Sequence, residues 1–324
     1  MNNAVYQKIR ASVNLSREPY SLAIFLTQNA VLTACVFAVW TISGNSISRF
    51  FAIPLLTILI FRHFSFMHEA VHNAVSHRKW INDACGVFSG AVCLLPFEPW
   101  KRSHLEHHLW AGNIDKDPVT AIITAFPAMH KLTQSTLSFF WRIWFPMLAC
   151  LQYGVFWWLA SKIFLKKRKS WPVLISLAAP IALWSLTSLL VPAGFLFTAL
   201  LPSLLLYMIA VEVVNFPHHL QLPQNRGTTR LPPSDQYQIA RTCLYPKWFA
   251  GFVVLNFNYH IEHHMYPDVP WYHLEKLHQK VKAELGSHYN SDPYFNWILE
   301  NKPQPMGEVL KARNKNGSKM SDAA

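Results

Sequence analysis

Residues 195–219 read FLFTALLPSLLLYMIAVEVVNFPHH, some twenty mostly apolar positions that run straight into His218 and His219. As a helix the first twenty rise about 30 Å, the thickness of a bilayer's hydrocarbon core. The stretch therefore predicts a membrane span that carries imidazoles to its end. Across the turn Pro192-Ala193-Gly194, residues 171–191 form a second span, and no Lys or Arg lies between Trp171 and Gln224. Composition supports this reading: 52% of the 324 residues are hydrophobic and only 14% charged, about half the usual soluble share of charge.

Two further spans are expected near the N-terminus. Residues 21–42 form an apolar run without a charge, too long for the core of a cleaved leader and without its small-residue cleavage pattern, so they read as a retained anchor. Ser43-Gly44-Asn45-Ser46 turns the chain and residues 50–66 return it. Residues 84–96 are apolar but only thirteen long, which fits a buried or re-entrant segment better than a span. Residues 139–164 are apolar enough to cross, yet carry Arg142, Pro146, Lys162 and four tryptophans. Counting them as a span would put Lys166-Lys167-Arg168-Lys169 on the far face, against the positive-inside rule, so an interfacial or re-entrant helix is expected. The sequence thus predicts an all-α integral membrane protein with four transmembrane helices and a helical cap. Both termini and the cap lie on the cytoplasmic side, with Arg49 the one basic residue near the far side. Residues 1–20 form a short polar and basic segment, 21–300 a single membrane domain, and 301–324 a disordered tail. Residues 271–286 read as an amphipathic surface helix.

The net charge of +12 sits beside apolar spans and fits anionic headgroups or an acidic partner. No nucleic-acid-binding motif accompanies it, and none is expected to bind. Five scattered cysteines without a CxxC pair argue against a disulfide framework or a thiolate metal site.

Ten of the sixteen histidines fall into four compact groups. His68-Glu69-Ala70-Val71-His72 sets two imidazoles one helical turn apart on one face. His104-Leu105-Glu106-His107-His108 sets three at i, i+3 and i+4, and His260-Ile261-Glu262-His263-His264 repeats the pattern, Glu included. Asn215-Phe216-Pro217-His218-His219 closes the last span. Lone histidines are commonly core or surface residues, but these groups all lie at span ends or in the polar regions beside them. Neutral imidazole suits Zn, Cu, Fe and Ni. One histidine from the last group brings the candidates to nine, more than one tetrahedral zinc takes and right for two metals with four or five ligands each. Two rival readings exist. The first box spells H-E-x-x-H, the zinc metalloprotease motif, but that reading leaves both three-histidine boxes idle. A zinc transporter would line its path with intramembrane ligands, whereas the span interiors here are nearly devoid of them.

The order and spacing of the three boxes, with His263-His264-Met265-Tyr266-Pro267-Asp268-Val269-Pro270 and then His273-Leu274, resemble the membrane fatty-acid desaturase superfamily, which also contains lipid hydroxylases and carotenoid ketolases. The likeness runs from about Phe61 to His278. It implies a non-haem centre of two Fe, with O2 as co-substrate, held by His68, His72, His104, His107, His108, His219, His260, His263 and His264. Asn215, four residues before His219, matches a position that in some members reaches iron through water. The implied reaction is oxidation of an unactivated C–H bond in a fatty-acyl chain, first of all desaturation, with hydroxylation or ketolation as the nearest rivals. Glu106 and Glu262, at i+2 of their boxes, are candidates to orient imidazole N–H groups, as are Asp115 and Asp117. Arg78, Lys79, Lys101 and Arg102 are candidates for an anionic headgroup or carrier phosphate. The substrate is a membrane lipid or a carrier-bound acyl chain. No nucleotide loop, cysteine cluster or attached haem domain is present, so electrons are expected from a ferredoxin or a haem-type cytochrome with its reductase.

Overall fold

In the computed structural model, the described residues are 1–13, 20–42, 50–166, 170–228, 230–293 and 295–311. They form α1 (Asn3–Ala11), α2 (Tyr20–Ile42), α3 (Ala52–Val71), α4 (Lys79–Val92), α5 (Phe97–Trp110), α6 (Ala121–Ala128), α7 (Lys131–Arg142), α8 (Met147–Lys166), α9 (Trp171–Leu190) and α10 (Ala193–His219). Beyond these come the short parallel strands β1 (Thr242–Leu244) and β2 (Ser291–Pro293), then α11 (His260–Met265), α12 (Leu274–Leu285), α13 (Asn296–Asn301) and α14 (Met306–Val309).

Four helices are long and apolar enough to cross a membrane: α2, α8, α9 and α10. The sequence reading also has four, with residues 50–66, in α3, where this set, picked by length and composition, has α8. α3 drops out because Arg62, His63, His68 and Glu69 fill its second half. Its contacts nonetheless make it a companion of α10. Thr57 Oγ1 donates to the Ser203 carbonyl at 3.3 Å and Ser203 Oγ to the Ile53 carbonyl at 3.1 Å. Ala52 and Leu56 pack with Ala199 and Leu200 at the end away from the histidines. α3 and α10 therefore run side by side and in the same direction, and whatever layer α10 crosses, α3 crosses too.

Residues 139–164, expected as an interfacial or re-entrant helix, form two helices rather than one; α9 and α10 already give an even number of crossings between the histidine ends of α3 and α10, which a crossing by α8 would make odd. The chain breaks after Arg142, where Trp144 takes a left-handed φ of 62°, and α8 starts afresh at Met147 with the length and composition of a span. Pro146 cannot donate the N–H that a continuous helix would need. Lys167 to Lys169, the Ser43–Ser46 turn and Arg49 lie outside the described residues.

α4 and α5 meet at 109°. Asn82, at the start of α4, accepts the backbone N–H groups of Val75 and Ser76 just past α3. Cys93, at its end, donates to the carbonyl of Ile60 at 3.4 Å, eight residues or about 12 Å along α3 from His68. The pair thus enters beside the first box, turns deep in the bundle and returns with the second, the re-entrant course expected for residues 84–96. The bend needs Gly86, where a β-carbon would stand 2.1 Å from the Phe97 ring.

The cap rests on α12, whose Leu274, Leu277, Val281 and Leu285 are buried at helical spacing, in line with the amphipathic helix expected there. α1 packs over it: Tyr6 donates to the Met265 carbonyl at 2.7 Å and Arg10 pairs with Asp268 at 2.6 Å. The tail expected to be disordered from residue 301 is not so at its start. Met306, Val309 and Leu310 are buried with Phe126, Leu137 and Trp141, and Trp141 donates to the Asn301 carbonyl at 3.1 Å. Three apolar side chains at i, i+3 and i+4 suffice to dock one turn, a pattern masked by the polar residues around it. Residues 312–324 lie outside the described set.

Candidate metal centre

Each box is placed by a helix end. His68 sits in the last turn of α3 and His72 at its C-cap, the second box occupies the last turns of α5, His219 ends α10, and the third box is α11. Because imidazoles at i, i+3 and i+4 share a helix face, four helix ends pointing at one place deliver all nine expected ligands together. They divide into two groups. His68, His72, His104, His108 and His263 form one; His107, His219, His260 and His264 form the other, and within each group the ligand atoms lie within 4.8 Å of one another.

The nitrogens face each other at close range. His72 and His104 approach to 2.8 Å between Nε2 atoms, His104 and His108 to 3.1 Å, His108 and His263 to 3.0 Å. In the second group His219 and His260 stand at 2.8 Å and His107 and His264 at 3.2 Å. His107 and His264 have their other nitrogen engaged by an acceptor: Nδ1–H of His107 donates to Asp117 at 2.8 Å and that of His264 to Gln236 Oε1 at 2.9 Å. Their Nε2 atoms are therefore both bare lone pairs, and neither has a proton to share with the other. Such an arrangement is repulsive unless a cation lies between. Metal–imidazole bonds of about 2.1 Å set ligands at right angles about 3.0 Å apart, the spacing found here. His219 is held likewise, its Nδ1–H donating to the Ile239 carbonyl at 3.3 Å. Burial first, and the neighbouring imidazoles second, hold His260, His263 and His264 well below the ordinary histidine pKa, so they are neutral and available as ligands.

Of the four acidic residues expected to orient imidazoles, Asp117 meets the expectation and Asp115, Glu106 and Glu262 do not. Asp117 is the carboxylate that orients an imidazole; both it and His107 are buried. Asp115 instead faces Arg226 at 3.6 Å on the surface. Glu106 is exposed and reaches no imidazole. Glu262 is fully buried but faces away from the ligands, accepting from Thr242 at 2.8 Å, Tyr289 at 2.7 Å and His278 at 3.0 Å; it anchors α11 to β1 and α12. An i+2 residue on a helix points some 200° from its neighbour, which is why neither Glu braces a ligand. Asn215 donates from Nδ2 to the Val211 carbonyl of its own helix at 2.8 Å. Glu69, the general base of the protease reading, accepts the Trp271 backbone N–H at 2.9 Å, while His68 and His72 share their group with three histidines of other boxes. Of the basic candidates, Lys101 pairs with Asp83 at 2.6 Å and Arg102 with Glu98 at 2.8 Å. Sequence reasoning missed Gln236 and the Ile239 carbonyl, which carry no local signal. It also missed Trp100, which stacks on His104 at 5.0 Å and whose i, i+4 spacing was legible. His218 belongs to neither group; it stacks on His260 at 4.2 Å.

The fatty acid desaturase family profile matches residues 44–295. Among similar proteins, the sn-1 oleoyl-lipid 12-desaturase of Picosynechococcus sp. is 24% identical over 278 residues, 81% of this chain and 73% of that protein. The chloroplastic omega-6 fatty acid desaturase of Glycine max is 25% identical over 305 residues, 89% of this chain and 65% of its own length. The sn-1 acyl-lipid omega-3 desaturase (ferredoxin) of Nostoc sp. is 24% identical over 245 residues, 71% of this chain and 66% of that protein. The matched region takes in every histidine of both groups, and with it the chain belongs to the fatty acid desaturase family, membrane oxidoreductases that desaturate fatty-acyl chains.

Proposed function

We propose that the two histidine groups each hold one iron and that the chain desaturates an acyl chain of a membrane lipid with O2 and two electrons from an external donor. The observation that carries this reading is the pair of converging imidazole sets with lone pairs 2.8–3.2 Å apart. Bound there, the irons would supply the oxidising power by which one hydrogen from each of two adjacent methylenes, together with O2, two electrons and two protons, ends in two waters and leaves a double bond. The chain's own residues hold and enclose the site. Asp117, Gln236 and the Ile239 carbonyl fix the tautomers of three ligands. Phe257 packs edge-on against His68 at 4.8 Å and against Phe64 at 5.8 Å, and with Trp100 forms an apolar wall on the bundle side. That wall keeps water from the five-histidine group and suits an acyl chain. Asn215 retains its side-chain oxygen for a water beside His219. The cap and both described ends of the chain lie on the cytoplasmic side, where the basic residues gather. The donor is a ferredoxin, as the name of the Nostoc relative says of that protein, or a haem-type cytochrome with its reductase.

Metal analysis of the purified chain tests the centre, with about two irons per chain expected from nine imidazoles. Lipid analysis of an expressing host tests the reaction. A new double bond is the expected product; new oxygen in the lipid would mean a hydroxylase or ketolase, and zinc in place of iron would overturn the reading.

A further inference from the structure

The last turn of α5 leads from the metal centre to the surface at Trp110, which is half-buried. Trp110 lies three residues after His107, so the two β-carbons stand about 5–6 Å apart on one face of the helix. Over its ring sit Lys116 Nζ, 3.9 Å from the centroid, and Arg230 Cζ, 4.7 Å away. These cations come from loops far apart in the chain, drawn together by backbone bonds from Ile114 to the Asn225 carbonyl at 3.0 Å and from Asn225 to the Gly112 carbonyl at 2.8 Å. Leu109, the preceding residue, is 43% exposed. Several other cations near the site are paired: Lys101 and Lys79 with Asp83, Arg102 with Glu98, Lys247 with Glu275. Lys116 and Arg230 make no ion pair among the described residues, and Asp115 is turned to Arg226. Glu106, one turn back on α5, is the nearest acid along the helix.

We infer that Trp110, Leu109, Lys116 and Arg230 form the docking face for an acidic one-electron carrier protein, with Trp110 the point at which its electrons enter. The inference rests on the proposed function for its need of an external donor. An aromatic and an aliphatic side chain supply the contact, and two unneutralised cations steer an acidic surface onto them. Two short routes then lead inward. One follows α5 from Trp110 to His107. The other runs through the Lys116–Asp117 peptide and the 2.8 Å hydrogen bond from His107 to Asp117. Each transfer oxidises the carrier by one electron and reduces one ferric ion to ferrous; two transfers supply one turnover.

The test uses the full chain, metal-loaded in lipid nanodiscs, with an acidic [2Fe–2S] ferredoxin as probe. Lys116→Glu combined with Arg230→Glu weakens ferredoxin binding about tenfold at low salt and flattens its salt dependence. The matched pair Lys79→Glu and Lys247→Glu changes it less than about twofold. Trp110→Phe keeps binding but slows anaerobic reduction of the metals by reduced ferredoxin severalfold, while reduction by dithionite through a small viologen mediator is unchanged. Equal weakening by both charge pairs, or no weakening by the first, overturns the docking face; an unchanged ferredoxin rate in Trp110→Phe overturns the entry point. Absence of iron would defeat the proposed function through metal analysis alone, and the binding comparison would still decide the docking face.

Discussion

The two histidine groups are built in different ways. In the four-imidazole group every member is buried, and three of the four have Nδ1 tied to an acceptor: Asp117, Gln236 or the Ile239 carbonyl. In the five-imidazole group His104 and His108 are half-buried, and the rings are held by packing, with Trp100 stacked on His104 and Phe257 against His68. One group is oriented by hydrogen bonds, the other by ring contacts and by having an extra imidazole. A hydrogen bond fixes a tautomer and a direction at once, whereas stacking fixes only a plane, so the second group compensates with number.

The largest effect expected from this contrast is an asymmetry in ligand removal. His260→Ala leaves three imidazoles in its group, and His72→Ala leaves four, the number a closed tetrahedral site takes. Metal analysis should find about one iron per chain in the first variant and close to two in the second, with desaturation lost more than about 100-fold in both. Equal retention of metal would remove the distinction between the groups.

A smaller effect is expected from the braces. Asp117→Asn keeps the shape but weakens the acceptor for His107, and metal affinity measured by chelator competition should fall about 10–100-fold. Trp100→Phe preserves a ring over His104 and should cost less than that. A greater loss from Trp100→Phe would mean that packing, not hydrogen bonding, orders the centre.

Acid should act through the same burial. His260, His263 and His264 sit well below the histidine value of 6.5 in the folded chain and regain it on unfolding. Below about pH 6.5 the unfolded state therefore binds protons that the folded state refuses, and stability falls as pH falls. The metal-free protein should melt at progressively lower temperature from pH 7.5 to 5.5, and metal should offset the loss because it binds only the neutral ring. A flat profile for the metal-free chain would contradict the burial of these rings.

The smallest contrast concerns the two glutamates that share a place in their boxes. Glu262→Gln disturbs bonds from Thr242, Tyr289 and His278 and should destabilise the chain by about 1–3 kcal/mol. Glu106→Gln, on an exposed carboxylate, should change stability by less than about 0.5 kcal/mol. Denaturation of the two variants in parallel checks the pair.

Much of this architecture was legible from residue order. Spacing of i, i+3 and i+4 sets histidines on one helix face wherever the helix goes, and twenty apolar residues can cross a bilayer whatever surrounds them. Both signals are local, and both held for the boxes and for the spans at α2, α9 and α10. Residues 50–66 read as a span and the packing of α3 beside α10 agrees, although Arg62 to Glu69 leave the whole helix too polar to stand out by composition. Hydropathy failed at residues 301–311, where three apolar side chains were outnumbered by polar neighbours yet found a buried seat.

The amino-acid order by itself determined that nine imidazoles would lie on helix ends beside membrane spans, since helical periodicity and apolar length need no distant partner. Only the tertiary structure decided that they divide five and four, that Asp117, Gln236 and a backbone carbonyl brace the smaller group, and that the repeated glutamates serve other ends. Which lone pairs face one another depends on how helices more than a hundred residues apart pack together, and no local pattern encodes that.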